Sequence, residues 1–368
     1  MRTFRRRVGL VQRVLPIYRA PFFDALGQAC EGGLGIFTGL PRPGEMIKTT
    51  TDLEHADVYH GKNLHLFGGK FYLCAQIGLM DWLVDWNPDV LIVEANPRYL
   101  KTTAAIRWMQ QRDRPVIGWG LGAPPVDGLL ADIRRQRRKD FINNFDALIT
   151  YSQSGAAEYK ALGFPEDRLF VAVNAVTPAP QHPIPQRPDP ETIDKPRILF
   201  VGRLQARKNI DNLLRACAQL PEHQQPKVVI VGDGPAREEW ESLAEDIYPD
   251  AHFTGALYGE ALVAEFRRAD LFVLPGTGGL AIQQAMSYGL PVVAAEADGT
   301  QADLVRPENG WQVAPDDIPA LRAALTEALA DLAALREMGA ESYRIVAEEI
   351  NLEQMVEVFI KAIHRSLA

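Results

Sequence analysis

Cysteine is scarce in this 368-residue chain: Cys30, Cys74 and Cys217 are scattered and odd in number. With no C-x-x-C pair and no histidine cluster at metal spacing, a disulfide framework and a structural zinc are excluded and a reducing compartment is expected. A surplus of cations is also lacking. Lys and Arg number 39 against 47 Asp and Glu, a formal net charge of −8, which argues against nucleic acid as a partner because phosphate neutralisation needs a broad basic excess. No apolar run approaches the roughly 20 residues that span a bilayer. The basic start, Arg2 to Arg7, leads into Val8–Val11, but Gln12 and Arg13 cut that run short of a signal-peptide core. A cytoplasmic location is therefore expected. Apolar and charged residues make up 47% and 23% of the chain, a globular composition, and the length suits two domains.

Along the chain, Val8–Val11 reads as a buried strand, followed by a loop and a helix through Leu26 to Ala29, with a second strand at Gly35–Thr38. Residues 41 to 65 show no assignable period. Their histidines, His55, His60 and His65, recur every five residues, off a common helix face, and are read as solvated or core residues. Asp89–Glu94, Arg114–Trp119 and Ala147–Thr150 are runs of the parallel-strand kind, with helices near 102–111 and, strongly basic, around 132–139. From Val176 to Pro196 prolines recur without apolar periodicity, the composition of an extended linker. Five further strands, Arg197–Val201, Lys227–Val231, Ala251–Phe253, Leu271–Leu274 and Pro291–Ala294, alternate with helices, and 352–367 reads as an amphipathic helix. The alternation predicts an α/β protein of two doubly wound domains. The expected boundaries are 1–178 with the closing helix 351–368, a linker at 179–196, and 197–350.

Three loops of the second half carry the chemistry. Leu271–Leu274 ends at Pro275, a loop of Gly276, Thr277, Gly278 and Gly279 follows, and a helix runs through Met286 to stop at Gly289. Glycines let backbone N–H groups approach a phosphate, and the helix start adds unpaired donors and a positive dipole end. After earlier strands come Gly202, Arg203, Arg207 and Lys208, and then Gly232 to Pro235. In an open parallel sheet all three loops lie at the carboxyl rim, where ligands bind. Cations with glycine loops at one rim call for a diphosphate.

These residues reach a known family. Val201 to Leu204 with Lys208, Val231 to Pro235, Ala269–Asp270 through Pro275, and Gln284–Met286 to Gly289–Val292 resemble the family 4 retaining glycosyltransferases. Tyr18–Arg19, Thr150–Ser152 and Val173–Val176 are similar to elements of that family's N-terminal half. The resemblance implies the GT-B fold, two Rossmann-like domains facing each other across a cleft. It implies that Arg203 and Lys208 hold the diphosphate of a nucleotide-sugar donor beside Gly202, Gly232, Gly234, Gly278, Gly279 and Leu280. The chain is a variant. The family's paired glutamates, eight residues apart, are replaced by Gly276 and Gln284, and its N-terminal histidine by the stretch Gly118 to Gly122. Gln284 retains an amide that can hydrogen-bond a ribose.

No Asp-x-Asp occurs in the chain, so a metal-independent hexosyltransferase is expected, with cations and helix dipoles carrying the leaving-group charge. The donor is a co-substrate, and no cofactor is expected. For the acceptor, a sugar or lipid-linked hydroxyl, the N-terminal rim offers Tyr18, Arg19, Asn96 and Trp119, with Glu94 orienting it. The basic helix Arg134 to Lys139, with Arg5 to Arg7, suits an anionic membrane surface, placing the protein on the membrane's inner face. Gly118-x-Gly120-x-x-Ala123 matches a dinucleotide fingerprint, but Pro124 and Pro125 break the helix it requires. A catalytically silent nucleotide-sugar binder or scaffold is the alternative to an enzyme of polysaccharide or glycolipid assembly.

Overall fold

The computed structural model describes all residues except 1, 46, 126, 127, 129, 298 and 368, and the side chains of all of these except 43 and 70. The chain divides into two compact units, one of Met1–Val176 with Leu352–Ala368 and one of Thr177–Asn351.

In the first unit the strands are β1 (Val8–Val14), β2 (Leu34–Gly39), β3 (Asp57–His60), β4 (Lys62–Leu66), β5 (Leu73–Ile77), β6 (Val90–Glu94), β7 (Val116–Gly120), β8 (Ala147–Thr150) and β9 (Leu169–Val171). Its helices are α1 (Ala20–Ala29), α2 (Leu79–Trp86), α3 (Thr102–Gln110), α4 (Ala131–Ile142) and α5 (Gln153–Ala161). Seven strands form one parallel sheet in the order β3-β2-β1-β6-β7-β8-β9, while β4 and β5 form a separate antiparallel hairpin. Side chains alternate across a strand, so neighbouring apolar residues supply opposite cores. Leu10, Ile92, Ile117 and Ile149 enter one cluster with Phe22 and Phe23, whereas Val11, Leu91, Val93, Val116 and Leu148 enter the other. This is why the central strands carry unbroken apolar runs rather than alternation.

The second unit holds β10 (Arg197–Val201), α6 (Ile210–Ala218), β11 (Lys227–Val231), α7 (Arg237–Ile247), β12 (Ala251–Gly255), α8 (Gly259–Arg268), β13 (Leu271–Leu274), α9 (Leu280–Ser287), β14 (Val292–Ala295), α10 (Gln301–Leu304), β15 (Gly310–Val313), α11 (Ile318–Ala330) and α12 (Leu332–Arg344). Its sheet is parallel, in the order β12-β11-β10-β13-β14-β15. The sixth strand, β15, was not expected. Its sequence, Gly310 to Val313, is short, begins with glycine and contains Gln312, so it carries no apolar run.

The closing helix α13 (Leu352–Ser366) returns to the first unit. Met355, Val356, Phe359, Ile360 and Ile363 recur at helical spacing and enter the cluster of Phe22, Phe23 and Trp119. The proline-rich run, expected as a linker between the domains, belongs to the second unit. Arg187 donates to the carbonyls of Ala269 at 2.7 Å and Tyr288 at 2.8 Å, at the ends of α8 and α9. Carbonyls at a helix end have no partner within the helix and favour a cation. Stacking of His182 on Tyr288, at 4.8 Å, fastens the same run to the second unit.

Candidate functional site

At the carboxyl rim of the second sheet, backbone hydrogen bonds lock the first two loops together. Gly202 N–H donates to Val231 O at 3.0 Å, Leu204 N–H to Asp233 O at 2.9 Å, and Ala236 N–H to Leu204 O at 3.1 Å. Gly202, Gly232 and Gly234 thus form one backbone floor, and Arg203 stands exposed at its edge. The chain then makes a single tight turn, Ala206 to Lys208, ending at Asn209 in the left-handed region at φ 51°. Asn209 is fixed there by Nδ2 donating to Asp316 Oδ1 at 2.7 Å.

This turn aims Lys208 beneath the third loop. Lys208 is only 8% exposed, and its Nζ donates to the carbonyl oxygen of Thr277. Burial, reinforced by the Arg207 charge, pushes the ammonium pKa down to about 8. Arg207 completes the link: its Nη1 donates to Thr277 Oγ1 at 2.8 Å and its carbonyl accepts Thr277 N–H at 3.0 Å. Gly278 has φ 141°, and a Cβ there would stand 2.5 Å from Lys208 Nζ, so only glycine lets the ammonium lie against the loop. Gly278 O accepts Gln301 Nε2 at 2.7 Å. Gln301 is 1% exposed, and its own Oε1 is buried without a hydrogen-bond partner.

Gly279 and Leu280 begin α9. The adjacent amides Gln283 and Gln284 then diverge, because successive helical residues face about 100° apart. Gln283 is buried and donates to Ile350 O at 2.9 Å, whereas Gln284 is half-buried and its amide has no hydrogen-bond partner among the described residues. The structure therefore brings together Gly202, Arg203, Lys208, Gly232, Gly234, Gly278, Gly279 and Leu280 on one sheet rim, with Gln284 further along α9. Arg207, read with Arg203 and Lys208 as a rim cation but not given a ligand role, joins them, as do Thr277 of the glycine loop and Gln301, which was not singled out. Arg207 had a signal, its place beside Lys208; Gln301 had none, since it meets Gly278 only through the fold.

In the first unit, Glu94 ends β6 at the same kind of rim. Its Oε2 accepts Arg13 N–H at 2.6 Å. Burial pushes its carboxyl pKa up to about 7, against the pull of that bond and of the Arg13 and Arg19 charges. Arg19 is 9% exposed, with its guanidinium 5.1 Å from the ring centres of both Trp119 and Tyr151 and its Nη1 buried without a partner. Tyr18 stands exposed beside it. Asn96 spends its side-chain oxygen on its own turn, accepting Arg98 N–H at 3.1 Å. Trp119 corrects the expectation of an acceptor platform. It is 1% exposed and packs edge-on against Phe359 at 4.9 Å, so its ring belongs to the core. The glycines on either side of it serve close packing of the strand, since a Cβ on Gly118 would lie 2.6 Å from Leu148 and one on Gly120 2.9 Å from the Tyr159 hydroxyl.

The Glu94 environment has a stability consequence. A carboxyl whose folded pKa lies above its unfolded value holds extra protons in the native state, so its contribution declines as pH rises from about 4.5 to about 7. Glu94→Gln removes that slope and should stabilise the protein by about 1–3 kcal/mol above pH 7. Urea midpoints measured across pH 4.5–8 test this; parallel curves for variant and wild type would show that Glu94 is not raised.

The two parallel sheets, each with helices between its strands, are the Rossmann-like halves of a two-domain GT-B fold. Residues 185–344 match the family described as Glycosyl transferases group 1. A sulfoquinovosyl transferase of Arabidopsis thaliana is 39% identical over 109 residues, 29% of this chain and 20% of that protein. A GDP-mannose-dependent alpha-mannosyltransferase of Mycolicibacterium smegmatis is 36% identical over 166 residues, 42% of each. The chain thus spans less than half the length of these relatives. Among solved structures, the Anabaena protein HepE in complex with UDP superposes with a TM-score of 0.72 at 16% identity, covering 98% of this chain and 99% of that one.

Proposed function

We propose that the chain is a glycosyltransferase that moves a sugar from a nucleoside-diphosphate donor to an acceptor hydroxyl, with retention of configuration and without a metal. The observation that carries this reading is Lys208: an ammonium sunk under a glycine loop, beside a second cation, whose hydrogen bond goes to a carbonyl that a phosphate oxygen would outcompete. Arg203 and Lys208 take the diphosphate as it leaves, and α9 offers its positive end. Gln284 hydrogen-bonds the ribose. The sulfoquinovosyl and mannosyl relatives, and UDP in the structural neighbour, support a nucleotide-sugar donor. Tyr18, Arg19 and Asn96 receive a sugar or lipid-linked acceptor, and Glu94 orients its hydroxyl. The setting is polysaccharide or glycolipid assembly at the inner face of a membrane, with the anionic surface as a partner.

A second reading, a nucleotide-sugar binder that does not transfer, is favoured by Gly276, which offers the donor sugar no side chain. Two measurements separate them. Thermal stabilisation by a panel of nucleoside diphosphates tests the donor site, a ligand at about 100 times its dissociation constant adding about 2.7 kcal/mol. Gln284→Ala should weaken that binding by a hydrogen bond's worth, about 0.5–1.5 kcal/mol. Release of nucleoside diphosphate from the matching sugar donor then supports the transferase. Stabilisation without release supports the silent binder, and absence of both overturns the donor site.

A further inference from the structure

The β4–β5 hairpin belongs to no part of the site above, yet it exposes two phenylalanines more fully than any other large apolar residue of the first unit among the described residues. Phe67 and Phe71, in the segment joining its strands, are 74% and 81% exposed, and Leu64 on β4 is 46% exposed. Phe67 sits in the left-handed region at φ 58°, unusual for a bulky residue and a posture that holds its ring outward. The strand that follows the turn is fastened to a neighbouring segment. Cys74 N–H donates to Arg98 O at 3.0 Å and Leu100 N–H to Cys74 O at 2.9 Å, adding the 98–100 segment to the edge of β5. Leu100, 46% exposed, extends the patch. Phe67, Phe71, Tyr72, Leu73 and Arg98 line a cavity of about 610 Å³ with Gly68.

The two chain stretches that build this patch carry charge of one sign, and the carboxylate nearest its Tyr72 side, Glu45, is paired with Arg13 and Arg42. From Val58 to Met80 and from Ala95 to Arg112 the sequence contains no Asp or Glu, although the whole chain carries a net charge of −8. Lys62, Arg98 and Lys101 are exposed along these two stretches. Exposed aromatics with Arg98 beside them and Lys101 a few residues further on, on an acidic protein, match a layer that is apolar beneath an anionic surface. Among the described residues no helix is long and apolar enough to cross a membrane, so such an attachment lies in the interface.

We infer that the β4–β5 hairpin inserts Phe67 and Phe71 into the headgroup–acyl boundary of an anionic bilayer, with Arg98 and Lys101 on the lipid phosphates. This rests on the anionic membrane named above as a partner, and it assigns the contact to the hairpin rather than to α4. Vesicles of phosphatidylcholine with and without phosphatidylglycerol, co-sedimented with the full chain, test it. Wild type should bind the anionic vesicles, and Phe67→Ser/Phe71→Ser should weaken binding by at least about tenfold, since two buried rings supply most of the insertion energy. Arg98→Gln/Lys101→Gln should weaken it less and remove the preference for anionic lipid. Both pairs are at the surface, so nucleoside-diphosphate stabilisation should be unchanged, which shows that the variants fold.

Equal binding by the phenylalanine variant, with loss on replacing Arg134, Arg135, Arg137 and Arg138 by Gln, would overturn the hairpin and leave the membrane reading standing. Failure of wild type to bind any vesicle would overturn both. Self-association of the protein alone, abolished by the same phenylalanine pair, would make the face a contact between copies and overturn the lipid assignment.

Discussion

Lys208→Met should lower turnover by about 10²–10³-fold, the usual loss on removing a group that stabilises developing charge, while leaving folding stability unchanged or raised. The second half of that expectation follows from the sign of the pKa shift. Burial holds the Lys208 ammonium at about 8, below its unfolded value near 10.4. The unfolded chain therefore binds more protons between those values, and stability rises with pH across that window. Below about pH 8 the buried charge costs the native state roughly 3 kcal/mol, an upper figure because the Thr277 carbonyl answers part of it. Methionine keeps the stem and removes the charge. A bound diphosphate works the other way: it favours the charged form, so binding above pH 8 should draw a proton from solvent, and affinity should decline as pH rises. Calorimetry in two buffers of different ionisation enthalpy measures that uptake. If Lys208→Met unfolds the protein and binding takes up no proton, Lys208 is a structural prop for the loop.

The residues that were legible in the sequence are those whose role is written locally. Central strands such as Val90–Glu94 and Leu271–Leu274 are buried on both faces, so an apolar run suffices to find them. The rim loops were legible because glycine, cation and helix start lie within a few residues of a strand end. The β4–β5 hairpin was not, because β4 is half-exposed and reads as polar sequence with a histidine, and β5 is a five-residue run broken by Gln76. His65 proves to be a partner of Tyr72, Nδ1 to hydroxyl at 2.9 Å, within that hairpin. Gln301 acts through its contact with the glycine loop, and Arg207, read only as a rim cation, meets Thr277 from 70 positions away. Trp119 shows the converse: its place at a strand's carboxyl end suggested the rim, while the sheet register carried its ring into the core beside Phe22. Local pattern reports what a segment can bury, and the fold decides which side chains meet.

The two departures from the pattern of the glycosyltransferases the sequence resembles are physically unlike, and placing a glutamate at each position should have different results. Gln284 is half-buried on α9 with an amide that has no partner among the described residues, so Gln284→Glu has room and should keep donor binding within about tenfold, the worth of one hydrogen bond. Gly276 is buried between two loops. A Cβ placed on it would lie 2.3 Å from Arg207 O, 2.6 Å from Lys208 C and 2.7 Å from Lys208 Cα. All three are backbone atoms, which cannot swing aside as a side chain could. Any side chain at 276 must drive the Arg203–Lys208 loop away from the glycine loop, breaking the Thr277–Arg207 bonds and displacing the Lys208 ammonium. Even Gly276→Ala should therefore destabilise the protein by about 1–3 kcal/mol, as overpacking does. On the proposed role of Lys208 it should also lower turnover by at least about 10²-fold, because a displaced charge would not meet the leaving group. Gly276→Glu, which would recreate the family residue, should do worse rather than better. The comparison needs only melting temperatures, nucleoside-diphosphate affinity and turnover for Gly276→Ala and Gln284→Glu side by side. A Gly276→Ala protein as stable and as active as wild type would mean that the two loops do not meet as described, and that the absent glutamate is a loss of chemistry rather than a consequence of packing.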